Sequence, residues 1–454
     1  MRLMLAAALA LLTSAGSAAA QDAWYTQATF QPTQRVAIQV RNPLDEARTN
    51  SPVVVRRADL SMLQDVHEMH MTLVDPRGTP TPEPSARTRA LEGAHGQLAE
   101  TNGHSFSYQF DDLDQDGLWD ELFFMADFAP GETKTYYVYL GMQQRGWNPH
   151  RTHAATGSYM RHSVPFWESE NFGWKLWFPT DMDVYAKRTP QLMSQRLYME
   201  NLDGYAVSLI DPALGSDIMQ VSTSFGGGGI GLIEDPAHPE VVSRPRFTEG
   251  SAFNFNAGPV SSTRYAFTVI ANGPVRSMVR IKTMNWNSGQ GRYELEQVYT
   301  AYAGQDYTTG HVRFTRFEPN PGVQPLFAVG IRKHLNETGF LQEGGLVLSA
   351  APEVIRNPDD VEKVQPDMTV AYAGTALIVP SRYSPTYGFW DSNEGNHVMS
   401  LPVTADREFD YLLAAGWSEG RTRKTVPEFE AYVRQTAREY EAPVAFVGAV
   451  SETR

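Results

Sequence analysis

Apolar and polar residues alternate along most of this chain in short runs, set between clusters of Gly, Pro, Asn and Asp. That period of two is the signature of half-buried β-strands. The early runs, at 35–40, 52–55, 106–110, 122–128 and 135–140, predict a small N-terminal β-sandwich over residues 22–145, with Ala129-Pro130-Gly131-Glu132 turning the chain into its last strand. Residues 76–104, rich in Pro, Thr, Ala, Gly and His, read as a long loop or a partly helical insertion, and 142–158 as a linker. Beyond Tyr159 the runs lengthen, at 172–178, 265–270, 274–284, 292–301, 311–317, 326–333, 369–379 and 411–416. They predict one large antiparallel β-sandwich over 159–450. Near the end, Val426-Pro427-Glu428 opens a stretch whose apolar positions Phe429, Tyr432, Val433 and Tyr440 follow helical spacing. The expected fold is all-β: a small sandwich followed by a large one of the supersandwich, mutarotase-like kind, with a short C-terminal helix.

Composition narrows the setting. Arg2, an apolar run from Leu3 to Leu12 and the small residues ending Ala18-Ala19-Ala20 have the layout of a secretory signal peptide over residues 1–20. That run is too short to span a bilayer, and no later stretch is long enough. The expectation is a chain that leaves the membrane once the signal is removed, into the periplasm or beyond the cell. No cysteine occurs, which excludes disulfides, thiolate metal sites and cysteine nucleophiles. The formal charge is −14, from 38 basic and 52 acidic residues. Nucleic acid is therefore not an expected partner, because phosphate binding needs a basic face. A few local arginines could still hold an anionic sugar.

The most ordered stretch is DDLDQDGLWDELFF, residues 111–124. Asp112, Asp114, Asp116, Gly117 and Asp120 match the front of a calcium loop, D-x-D-x-D-G. The twelfth position is Phe123 instead of the bidentate Glu, and the flanks are strand-like rather than helical. Both a structural calcium ion and a plain polar hairpin turn fit this run.

This stretch and its surroundings also resemble a known family. RNPLDEARTNSPVVV (41–55), YQFDDLDQDGLWDELFFMADFAPGETKTYYV (108–138), WESENFGWKLWF (167–178), DMDVYAKR (181–188), VSTSFGGGGIGL (221–232) and NGPVRSMVRI (272–281) are similar to the domain-of-unknown-function 4861 family. The resemblance implies an exported bacterial protein of polysaccharide use, acting on uronic-acid-containing oligosaccharides by β-elimination of water or of a glycosyl group. Such chemistry needs no cofactor. It needs a cation or strong donor at the carboxylate, a base for the α-hydrogen and an acid for the leaving oxygen.

Several segments supply such groups. In Gly330-Ile331-Arg332-Lys333-His334, alternation on a strand puts Arg332 and His334 on one face, as carboxylate partner and proton-transfer group. In the segment 181–188, Asp183, Tyr185 and Lys187 share a face, where an ammonium would lower the phenol pKa; Asp183 could instead simply pair with Lys187. His162 precedes Trp167, a candidate sugar platform, and Glu168, which with Glu170 invites a two-carboxylate hydrolase reading. Arg276 could meet a carboxylate, but exposed sheet charge is the better reading. FGGGGIG (225–231) lacks the Lys-Ser/Thr of a P-loop and reads as a tight turn or close backbone approach. The rivals to elimination are a glycoside hydrolase, a non-catalytic glycan-binding protein and a sugar epimerase or mutarotase.

Overall fold

The computed structural model describes residues 23–83, 85–87, 98–143, 148–159, 162–177, 181–194, 210–211, 213–219, 221, 224–245, 261–355, 367–391 and 395–454. The segment read as a signal peptide, residues 1–20, lies outside them. The expected strands form, most within a few residues of their predicted ends, because alternation gives each one a face that water rejects and a face that it accepts.

The small unit is a sandwich of two antiparallel sheets. Strands Gln34–Arg41, Thr133–Leu140 and Met71–Val74 lie in one sheet, and Arg48–Arg56, Glu121–Phe128 and Tyr108–Asp111 form the other. Val36, Ile38 and Val40 alternate inward against Val53, Val55, Leu122 and Phe124. The fourth strand of the first sheet is Ala445–Thr453, paired antiparallel with Gln34–Arg41. Sequence had carried the large unit through to residue 450. The end of the chain instead returns to its beginning, where it covers an edge that would otherwise be unpaired.

The large unit has two layers and a helix. One layer is an eight-stranded sheet; the other combines a six-stranded and a five-stranded sheet, and one hydrophobic core draws on all three. The presumed linker contributes to it. Thr152–Tyr159 pairs along His162–Ser169 as an edge of the six-stranded sheet, and Ala154 lies in the core. Its run THAATGSY is too small and polar to announce a strand. The glycine run joins the two smaller sheets: the Gly227 amide donates to Met182 O at 2.8 Å, and the Arg332 amide to Gly226 O at 2.7 Å. Gly226 has φ 57°, and a Cβ there would stand 1.9 Å from Val221 Cγ1, so this stitch requires glycine. The helix Val426–Glu441 starts with a capping box between Thr425 and Glu428 and lays Phe429 and Val433 on the outer face of the eight-stranded sheet, against Tyr372, Leu412 and Ala414.

Candidate active site

At one end of the large sandwich polar side chains gather between the edges of the two layers. On the five-stranded sheet, Thr386–Trp390 pairs with Asn396–Pro402 so that Phe389 lies opposite His397 and Tyr387 opposite Met399. Met399 is in the core, so these four side chains all turn toward the eight-stranded sheet. From that sheet, Gly339–Glu343 places Phe340 opposite Ser349. The Phe340 ring lies 5.0 Å from the His397 ring, with an interplanar angle of 27°.

A hydrogen-bonded network fills this mouth. His334 is buried, and its Nδ1 lies 2.9 Å from Glu353 Oε1. A carboxylate only accepts, so Nδ1 carries the hydrogen in this bond. That Nε2 is buried and has no partner among the described residues. Buried polar atoms are almost always satisfied, so this one marks a place where a partner could be taken. The His334 amide donates to Ser349 Oγ at 3.0 Å, and Ser349 Oγ donates to Glu337 Oε1 at 2.6 Å. The same Glu337 oxygen lies 2.8 Å from His397 Nε2, whose ring holds Tyr387 Oη on Nδ1 at 3.0 Å. His334, through Ser349, and Tyr387, through His397, are thus tied to one carboxylate.

The electrostatics assign states. Burial opposes ionisation of Glu337, but hydrogen bonds from His397 and Ser349 and the charges of His397 and Lys333 hold its carboxyl below the usual range. Burial, and then the Glu337 charge, push the Tyr387 phenol up, so it keeps its proton. The mouth therefore holds the unpartnered ring nitrogen of His334, a protonated phenol at Tyr387 and, at Lys333, an ammonium 5.7 Å from the Phe389 ring.

Arg332 and His334 do not share a face. The strand ends at Arg332, so alternation stops before His334. Ile331 points into the core, and Arg332 therefore lies on the opposite, outer side of the layer.

That outer side, continued on the six-stranded sheet, carries the second group of sequence candidates. Tyr185, Lys187 and Asp183 do share a face, with Glu168 beside them, all buried. Lys175, which sequence reading missed, donates to Tyr185 Oη at 2.5 Å and pairs with Asp183 at 2.9 Å. Lys187 pairs with Glu168 instead of Asp183, and Glu168 also accepts the Met193 and Ser194 amides, each at 2.9 Å. Burial pulls the Lys187 pKa down against the pull of Glu168. Burial and the Asp183 charge raise the Asp217 carboxyl well above its ordinary value. Among the described residues these groups pair with one another.

The remaining candidates take structural places. Trp167 is fully buried, stacked on Tyr299 at 4.6 Å with its Nε1 donating to Thr308 Oγ1. It faces the core and not a cleft, since strand position decides which side a ring occupies. Glu170 pairs with Arg151, away from Glu168. Arg276 is no exposed sheet charge: it bolts the two units together, bonding Asp111 and Glu121 at 2.8 Å each across the boundary. His162 opens its strand, and its side chain lies outside the described residues.

The aspartate run is a hairpin loop between Tyr108–Asp111 and Glu121–Phe128. Carboxylate oxygens of Asp112, Asp114 and Asp116 lie within 4.8 Å of one another and could hold a cation. Asp120 does not join them. Its Oδ2 accepts the Leu113 amide at 2.6 Å, because the loop closes on it as a turn.

The fold and this mouth define an all-β protein of two sandwiches with a polar site between the layers of the larger one. The chain belongs to the family described as Domain of unknown function (DUF4861), which it matches over residues 40–446. Among solved structures it is similar to an alpha-mannosidase from Enterococcus faecalis V583, at 10% identity and a TM-score of 0.46 over 94% of this chain and 46% of that one. It is similar also to a protein in the glycosyl hydrolase family 38 from Enterococcus faecalis, with the same identity and TM-score over 94% of this chain and 48% of that one. The chain thus spans about half the length of either. No curated protein matches it. No helix among the described residues is long and apolar enough to cross a membrane.

Proposed function

We propose that this is an exported carbohydrate-active enzyme that opens uronic-acid-containing oligosaccharides by β-elimination at the mouth of the large sandwich. The observation that carries this reading is His334, whose Nδ1–H is fixed on Glu353 while its Nε2 lone pair is held buried and unused. That arrangement suits a general base. His334 Nε2 takes the hydrogen at C5, next to the carboxylate. Lys333 faces that carboxylate and offsets the charge that builds on it. The C4–C5 double bond forms as the C4–O bond breaks, and the Tyr387 phenol gives its proton to the departing oxygen. The network through His397 and Glu337 can then reprotonate Tyr387. A departing hydroxyl makes the enzyme a dehydratase, and a departing sugar makes it a lyase. The step as drawn uses only side chains; calcium, if bound by Asp112, Asp114 and Asp116, would brace the hairpin.

The test is to incubate the purified protein with a panel of uronic-acid oligosaccharides while following the ultraviolet absorbance of the conjugated C4–C5 enoate, with mass spectrometry on the products. Rising absorbance with loss of one water identifies a dehydratase, and rising absorbance with shorter fragments a lyase. Shorter, saturated products would replace the reading with hydrolysis. Unchanged masses across the panel would leave only a glycan-binding protein.

A further inference from the structure

The mouth is flanked by two half-exposed phenyl rings. Phe340 is 48% exposed and Phe389 43% exposed, although both sit against His397, at 5.0 and 5.3 Å between ring centroids. They come from different layers, Phe340 from the edge of the eight-stranded sheet and Phe389 from the edge of the five-stranded sheet. A lone exposed phenylalanine needs no explanation. Two of them, on opposite lips of one polar mouth with Lys333 above one ring, make a rim that is apolar in face and cationic at its edge. The C–H face of a pyranose fits such a ring, and its carboxylate fits the cation.

We infer that Phe340 and Phe389 form a subsite for the sugar next to the reacting one, so that the mouth selects oligosaccharides over single uronic acids. The inference rests on the reading of the mouth as a carbohydrate site and adds to it a chain-length requirement. His334, Glu353 and Tyr387 can handle one sugar ring. The rim lies outside them and has no use unless a second ring is attached to the first.

The experiment uses the full chain and uronic-acid oligosaccharides from di- to hexasaccharide, with the free monosaccharides beside them. Binding is measured by isothermal titration calorimetry, and turnover by enoate absorbance. Wild-type affinity should rise with length and then level off. Phe340→Ala and Phe389→Ala should each weaken binding of the longer oligosaccharides by about tenfold, as loss of an aromatic contact does. In turnover they should raise KM more than they change kcat. Val447→Ala, an exposed apolar residue on the C-terminal strand, serves as the control and should match wild type.

Absent turnover with length-dependent binding that the two phenylalanine variants lose would sink the elimination reading and keep the subsite. Turnover with variants that match wild type at every length would overturn the subsite and keep the reaction. A wild-type protein that binds monosaccharides as tightly as hexasaccharides, or binds none of the panel, also overturns it.

Discussion

The layer made by the six- and five-stranded sheets carries polar chemistry on both sides, and the two sides are built differently. On the outer side, Lys175, Asp183 and Tyr185 form one buried group and Lys187 and Glu168 another, each charge facing its opposite. On the inner side, at the mouth, Glu353 and Glu337 orient two histidines, yet His334 Nε2 has no partner among the described residues and two phenyl rings stay about half exposed. Buried charges that satisfy one another stabilise a fold and must be separated before they can bind anything. A group held in place by one partner, with its reactive atom unused, is organised for a ligand. Residue types alone favour the outer side, which has lysines, a tyrosine and carboxylates. The unspent valence favours the mouth.

The largest effect should come from exchanging the two sides in a turnover assay. His334→Gln should lower kcat by at least about 100-fold, as loss of a general base does, with the melting temperature held. Tyr185→Phe should change kcat by less than about threefold. The reverse pattern would make the outer cluster the catalytic one.

Stability should divide the opposite way. Lys175→Met removes a buried cation paired with Asp183 and should cost about 3–5 kcal/mol in urea unfolding. Lys333→Met at the mouth should stay within about 0.5 kcal/mol. Equal losses would mean that the mouth is as much a structural cluster as the outer face.

A smaller, pH-dependent effect belongs to Asp217. Burial, with the charge of Asp183, raises its folded carboxyl well above the unfolded value. Below the ordinary carboxylate range both states hold the proton. As pH climbs from about 4, the unfolded chain ionises first and stability falls, until the folded carboxyl also ionises. Asp217→Asn cannot ionise, so its unfolding free energy relative to wild type should improve as pH rises over that window. A gap that stays constant with pH would show that Asp217 is ionised in the fold.

The smallest effect concerns a third place, the hairpin of Asp112, Asp114 and Asp116. Calcium added to chelator-treated protein should raise the melting temperature by a few degrees, as binding to the folded state alone must, without altering turnover. An unchanged thermogram would leave only a turn.

How much of this was legible follows from the range of each signal. Strands with strong alternation, such as Gly291–Tyr302, could be read one at a time, because a half-buried strand records its own exposure in its residues. Thr152–Tyr159 could not, since small residues bury little and so leave no pattern. The face shared by Asp183, Tyr185 and Lys187 was visible because the strand is regular across them. The pairing of Arg332 with His334 failed because the strand stops between them.

Tyr387 and His397 were missed although their segment, TYGFWDSNEGNHV, sets aromatic and polar residues close together. What makes them a site is the hairpin register that puts Phe389 opposite His397, and then Phe340 and Glu337 arriving from some fifty residues away. By itself the sequence determined the fold class, the family and the strand faces, since periodicity and motif order are local. Only the tertiary structure decided which polar residues are spent on one another and which are held open, because that depends on register and on the meeting of two sheets, and neither leaves a trace within a single strand.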